Sequence, residues 1–189
     1  MKVKEILTDV ATYLNMSDLL ETTLFDGSKT ATDEQKNIID FLIKCCNLVV
    51  NQIATEYYTF KDKKKVSSTN GKINYSSISS YPIVDIIKVK RGGVDVQYIC
   101  HSTYLEVPVG DVEVEFAFTP SPATMVSSNI ELYNYKINPR VIAYGVVAEY
   151  YYINGIYDDA TIWDNRFKTS LNGIVRPKKD VIIKSRLWI

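Results

Sequence analysis

The sequence predicts an α+β fold, and three patterns lead to it. Apolar residues recur at helical spacing towards both ends, over about 1–57 and 137–173. Between them, from Tyr58 to Phe118, apolar residues tend to recur at every second position, the period of a half-buried strand. Turn residues (Asn70-Gly71, Arg91-Gly92-Gly93, Pro108 to Asp111) cut that alternation into short pieces, as antiparallel strands require. The 189 residues are expected to form a single domain: helical over 1–57, β over 58–120, a helical hairpin over 137–173 and an extended arm over 175–189. A chain of this length can bury a core without disulfide staples.

The first helix is expected over 3–15, with Val3, Ile6, Val10 and Tyr13 on one stripe. Ser17 followed by Leu19, Leu20 and Leu24 predicts a short second helix, ended by Asp26-Gly27. Thr32 and Gln35 then form a capping-box pattern. The long helix behind it carries Ile38, Leu42, Cys45, Val49 and Ile53 on its stripe, widened by Phe41 and Leu48, and lasts to about Tyr57. Cys45 and Cys46 read as small buried residues, since no nearby cationic pattern would lower a thiol pKa. With Cys100 they make an odd set without zinc-site spacing, which fits a reduced cytoplasm and no metal.

Tyr58-Thr59-Phe60 opens the first strand. The charge run Lys61 to Lys65, interrupted by Asp62, is expected to be a solvated hairpin or loop tip, although lysines so grouped could also touch DNA phosphates. Ile73 and Tyr75 alternate after the Asn70-Gly71 turn. Pro82 introduces a strand through Ile83, Ile86, Ile87 and Val89, and with Val94, Val96 and Tyr98 it predicts a hairpin over Val84 to Ile99. Tyr104, Leu105 and Val107 form a short strand. Val112, Val114, Phe116 and Phe118 alternate with Glu113, Glu115 and Ala117, one face packed and one largely wet. Residues 121–136 are polar and irregular.

The stretch from Asn138 to Gly173 is the strongest helical signal. Asn138 is a helix cap, Pro139 suits the first helical position, and Asn154-Gly155 supplies a left-handed stop. The first helix is apolar almost all round. Ile142, Val146, Tyr150 and Ile153 lie on one side, and Val141, Gly145, Ala148 and Tyr152 on the other, with Glu149 alone opposing full burial. Two apolar faces need two partners, so Gly145, Ala148 and Tyr152 are candidates for a contact with another subunit; the simpler alternative is the central helix of one compact domain. The second helix starts near Asp158 and Asp159, which suit its positive end, and is expected to stop at Gly173. Ala160, Trp163, Phe167 and Leu171 form its buried stripe, while Asp158, Thr161, Asn165 and Lys168 face away.

Beyond Gly173, Arg176-Pro177 biases the chain to an extended path. Arg176, Lys178, Lys179, Lys184 and Arg186 against Asp180 give five minus one, or plus four. Val181 to Ile183 favour strand, and Trp188 and Ile189 give the arm an apolar tip.

Asn138-Pro139-Arg140, Ala148-Glu149-Tyr150, the Asn-Gly break, Ala160 through Trp163 with Arg166, and the basic ending Lys184-Ser185-Arg186-Leu187-Trp188-Ile189 together resemble the head-to-tail connector (adaptor) proteins of tailed bacteriophages, nearest to the ring adaptors of podovirus-type tails. That family ends near Arg-Arg-Trp, and Leu187 replaces one arginine here. The resemblance implies a structural virion protein, assembled in the host cytoplasm and sited in the neck. It implies a dodecameric ring between the portal protein and a tail tube or nozzle protein, extending a channel through which DNA passes without sequence-specific binding. It also implies portal binding through the helical hairpin and the arm, with Arg176, Lys184, Arg186, Trp188 and Ile189 as contact residues; the arm's residues alone fit equally an extra strand on the chain's own sheet or strand addition to a partner.

The balance of the sequence agrees with an assembling protein. Lysine plus arginine equals aspartate plus glutamate at 22 each, so no global field draws the chain to nucleic acid or a membrane. The longest apolar runs are too short to span a bilayer, and acidic residues interrupt the N-terminal apolar pattern, unlike a signal peptide. Fourteen tyrosines favour interfaces. His101, the single histidine, adjoins Cys100 and Ser102, but neighbours in a strand face opposite ways. No Walker, GxGxxG or HExxH pattern occurs, and a non-enzymatic protein without cofactor is expected. The competing classes are a small-ligand or glycan-binding α+β module using Tyr98, Tyr104 and Trp163, and a hydrolase using His101.

Overall fold

The computed structural model describes residues 1–130 and 137–175. Its architecture is α+β, with helices grouped around one hairpin and two small antiparallel sheets inserted between them.

Helix α1 (Val3–Tyr13) buries Val3, Ile6 and Val10 as its periodicity requires, and also Leu7 and Ala11. The short helix α2 (Ser17–Leu20) and a 3-10 turn (Thr23–Phe25) follow, closed by Asp26 in a left-handed conformation. Thr32 accepts a hydrogen bond from the Gln35 backbone N–H (3.2 Å), and the Gln35 side chain accepts from the Thr32 N–H (3.0 Å), so two donors at the start of α3 (Asp33–Gln52) are satisfied reciprocally. The helix continues as one π turn, Ile53–Tyr57. By length and composition this 25-residue stretch could cross a bilayer, contrary to the expectation from single apolar runs. Half of its most apolar window is buried inside the fold, as in the core helix of a folded domain.

The larger sheet has the order β1-β7-β3-β4, built from β1 (Phe60–Ser68), β3 (Ile83–Arg91), β4 (Val94–Asp95) and β7 (Gly110–Phe118). The lysine run is therefore a strand rather than a loop tip. It pairs with β7 along its whole length and stays exposed because it forms the edge of the sheet. The register supplies the charge balance. Lys63 and Lys88 flank Glu115 in the neighbouring strands, Lys65 and Lys90 flank Glu113, and the Lys63 ammonium lies 3.3 Å from the Glu115 carboxylate. Lysines along an exposed edge also discourage pairing with another such edge. Val112, Val114 and Phe116 face inward and join the helices in one continuous core.

The expected hairpin from Val84 to Ile99 is shorter than its alternation predicts. Gly92 and Gly93, both with positive φ, turn β3 into β4, and pairing lapses after Val96, whose N–H still donates to the Val89 carbonyl (3.0 Å). The chain then crosses to a second sheet of order β2-β6-β5, formed by β2 (Lys72–Asn74), β5 (Ile99–Cys100) and β6 (Tyr104–Glu106). Tyr75 opens a one-turn helix, α4 (Tyr75–Ile78), instead of continuing the strand.

Helix α5 (Pro139–Ile153) sits at the centre, packed on α1, α3 and α6 (Tyr157–Val175). The Asn138 side chain accepts from the Val141 N–H (3.0 Å), and Gly155 turns the chain with φ +76°. Ala160, Phe167 and Leu171 are buried as the α6 stripe predicts, with Trp163 half-buried. Two expectations for this hairpin fail. Gly173 does not stop α6, which continues to Val175, because a helical glycine costs only about 1 kcal/mol. Ile153 is exposed rather than packed, being the last residue before the turn.

Candidate interaction face

The small residues of α5 are occupied from within the chain. A Cβ placed on Gly145 would lie 2.8 Å from Val49 Cγ1 and 3.1 Å from Phe167 Cδ2, so α3 and α6 already meet there. Ala148 is buried and Tyr152 half-buried. As interface candidates, Gly145 and Ala148 are thus corrected to core positions: the close approach they permit joins helices of one subunit. Gly145→Ala gains roughly 0.5–1 kcal/mol of helix propensity, but forced overpacking costs about 1–3 kcal/mol. Overpacking wins, and the urea midpoint of Gly145→Ala is expected to fall.

The residues that do reach the surface of the hairpin form an aromatic cluster between α1, α5 and α6. Tyr13 and Trp163 have ring centroids 5.0 Å apart, and Tyr144 stands 5.7 Å from each. Two guanidinium groups lie over it. Arg166 is 4.7 Å from the Trp163 ring centroid and Arg140 is 6.0 Å from that of Tyr144, while Arg140 Nε donates to the Tyr13 hydroxyl (3.1 Å). Beside them a cleft of about 480 Å³ is lined by Tyr144, Asn165, Arg166, Thr169 and Ser170. Burial pushes the Tyr13 phenol pKa up, against the lowering effect of the Arg140 hydrogen bond. Tyrosine, tryptophan and arginine are the residue types that dominate binding energy in protein interfaces. Helical spacing linked Arg140 to Tyr144 and Trp163 to Arg166 in the sequence, but nothing local joins Tyr13 to residues more than a hundred positions away.

The arm residues Arg176, Lys184, Arg186, Trp188 and Ile189 lie outside the described residues. Tyr98, Tyr104 and Trp163 do not converge into one ligand site. Tyr98 lines an open cavity of about 620 Å³ with Gln97, Ile99 and Glu106, and its hydroxyl donates to the Ile86 carbonyl (2.7 Å). Tyr104 is sandwiched in the small sheet between the His101 ring, 4.4 Å away, and the Lys72 ammonium at 4.8 Å. Trp163 belongs to the helices.

His101 Nε2 lies 2.8 Å from a Glu106 carboxylate oxygen, and its backbone carbonyl accepts from the Tyr75 hydroxyl (2.8 Å). Cys100 faces other neighbours. Burial first, and the Cys100 thiol second, push the hydroxyls of Tyr75 and Tyr98 up. The His101 ring nitrogen Nε2 is thus engaged by the Glu106 carboxylate rather than by the Cys100 thiol. Burial likewise pushes the Cys45 thiol up to about 11 and Cys46 up to about 12, a setting for packing rather than reactivity. Glu149 is half-buried, and burial, then the Asp164 carboxylate, raise its pKa. Among the described residues no group of three His, Cys, Asp or Glu side chains could hold a metal ion. No protein-family model matches the chain, and no curated protein matches it significantly.

Proposed function

We propose that this chain is a structural adaptor of the tailed-phage head-to-tail connector type, which joins a portal protein to a tail tube or nozzle protein as a ring around the DNA path. The observation that carries the reading is the helical hairpin. The residues that resemble the connector family, Asn138-Pro139-Arg140, the Asn154-Gly155 break and Trp163 with Arg166, are those that cap, turn and decorate α5 and α6. The same hairpin presents tyrosine, tryptophan and arginine outward, as an assembling protein requires.

In this reading the isolated chain is a monomer or weak oligomer, and the portal templates the dodecamer. The arm beyond α6 carries plus four in charge and ends in Trp188 and Ile189. It reaches the portal by strand addition, Trp188 entering an apolar pocket and Lys184 and Arg186 meeting carboxylates. Deletion of Lys184 to Ile189 is expected to leave the melting temperature unchanged while abolishing portal pull-down. Trp188→Ala is expected to weaken binding by about 2 kcal/mol, roughly thirtyfold. Negative-stain images of the chain with its portal are expected to show a ring below the portal. A lowered melting temperature with portal binding intact would instead make the arm part of the chain's own fold and refute the assignment.

A further inference from the structure

The outer face of α6 carries opposite charges two helical turns apart. Asp159 and Arg166 are seven residues, or about 10 Å, apart and fall on one stripe. Ile162 lies between them and is 53% exposed, unusual for an isoleucine in mid-helix. Among the described residues neither Asp158, Asp159, Arg140 nor Arg166 takes part in a salt bridge, whereas Asp164 and Lys168, on another face of the same helix, pair at 2.6 Å. Asp158 adjoins the acidic end, and Arg140, over the Tyr144 ring of the same aromatic cluster, adds to the positive charge of the hairpin.

A stripe ordered acid, apolar, base is complementary to itself when reversed. We propose that two copies of this chain pair through this face, with their α6 helices antiparallel about a two-fold axis beside Ile162, midway between Asp159 and Arg166, so that Asp159 of each copy meets Arg166 of the other. Ile162 then packs on its own symmetry mate, and each ion pair forms twice, the self-complementary pattern that a two-fold contact demands. Both charged ends lie on one side of one helix, so the contact closes at two copies instead of propagating. The chain's own C-terminal segment is a poorer occupant, because its plus four charge suits Asp159 but is repelled by Arg166 and Arg140. The pairing stands apart from the adaptor reading, since it requires no portal.

The test is sedimentation of the purified chain over a concentration series at low and high salt, with the variants Asp159→Arg and Arg166→Glu. The wild type is expected to form a dimer that weakens with salt. Each single variant is expected to keep its helical circular dichroism and lose at least tenfold in self-association, because both copies then present like charges. An equimolar mixture of the two variants is expected to regain the dimer, as both ion pairs reform with reversed sign in one of them. A wild type that stays monomeric at every concentration, a species larger than a dimer, single variants that pair like the wild type, or a mixture that fails to recover would each overturn the pairing. None of these results bears on portal binding, which the pull-down reads separately.

Discussion

Val146→Asp is expected to leave no folded protein at neutral pH. Val146 has no exposed surface, and it lies in the middle of α5, the helix against which α1, α3 and α6 all pack. Its immediate surroundings in sequence, Gly145, Val147 and Ala148, are buried too, so a carboxylate there can reach neither water nor a cation by a change of rotamer. An unpaired polar group buried in this way costs several kcal/mol, and a charged one more. A domain of this size has a margin of about 5–15 kcal/mol. The new carboxyl escapes part of the cost by staying protonated, so its folded pKa lies above the unfolded value of about 3.9. The native state then holds a proton that the unfolded chain releases, and stability falls as pH rises from about 4 through that raised value. The variant should therefore recover helical circular dichroism as the pH is lowered towards 4, while the wild type gains nothing comparable. Cooperative melting at pH 7 close to that of the wild type would mean that α5 is not the centre of the core.

The parts of the fold that could be read from sequence are those fixed by neighbours along the chain. Thr32 with Gln35, Asn138 with Pro139, Gly92-Gly93 and Asn154-Gly155 each satisfy or release backbone groups within a few residues, and each stands where local chemistry places it. The parts that were not legible depend on distant partners. Lys61 to Lys65 have poor strand composition, and they form a strand because Glu113 and Glu115 lie opposite in β7, about fifty residues later. Ile99 and Cys100 continue an alternating run, yet they leave the first sheet to pair with β6. Gly145 marks a close helix contact and Ala148 is buried beside it, but sequence could not tell an internal helix from that of another subunit. The aromatic cluster was half visible: its arginines lie at helical spacing from Tyr144 and Trp163, whereas Tyr13 is brought to them only by the packing of α1 on α5.

Phe167→Ala is expected to destabilise the chain by about 3–5 kcal/mol, the usual cost of truncating a fully buried phenylalanine. Phe167 is 1% exposed and binds the hairpin to the first helical layer in two ways. Its ring edge fits the space left by Gly145, and it meets Tyr57 at 6.2 Å in an edge-to-face arrangement, so α3's π turn, α5 and α6 all converge on it. The glycine makes the resulting cavity hard to close, since α5 offers no side chain at that point to move into it. That geometry makes the two positions energetically dependent. Adding the Gly145 methyl strains the wild type against both Phe167 and Val49, but with Phe167 truncated one of these contacts is gone and the methyl fills part of the void. Gly145→Ala should then cost less in the Phe167→Ala background than in the wild type, a coupling of at least about 0.5 kcal/mol, as is usual for residues in contact. It will not vanish, because Val49 Cγ1 still lies only 2.8 Å from the new carbon. Urea titrations of the four proteins measure the coupling directly. Strict additivity would show that Phe167 does not fill the space above Gly145, and that the hairpin is joined to α3 by some other contact.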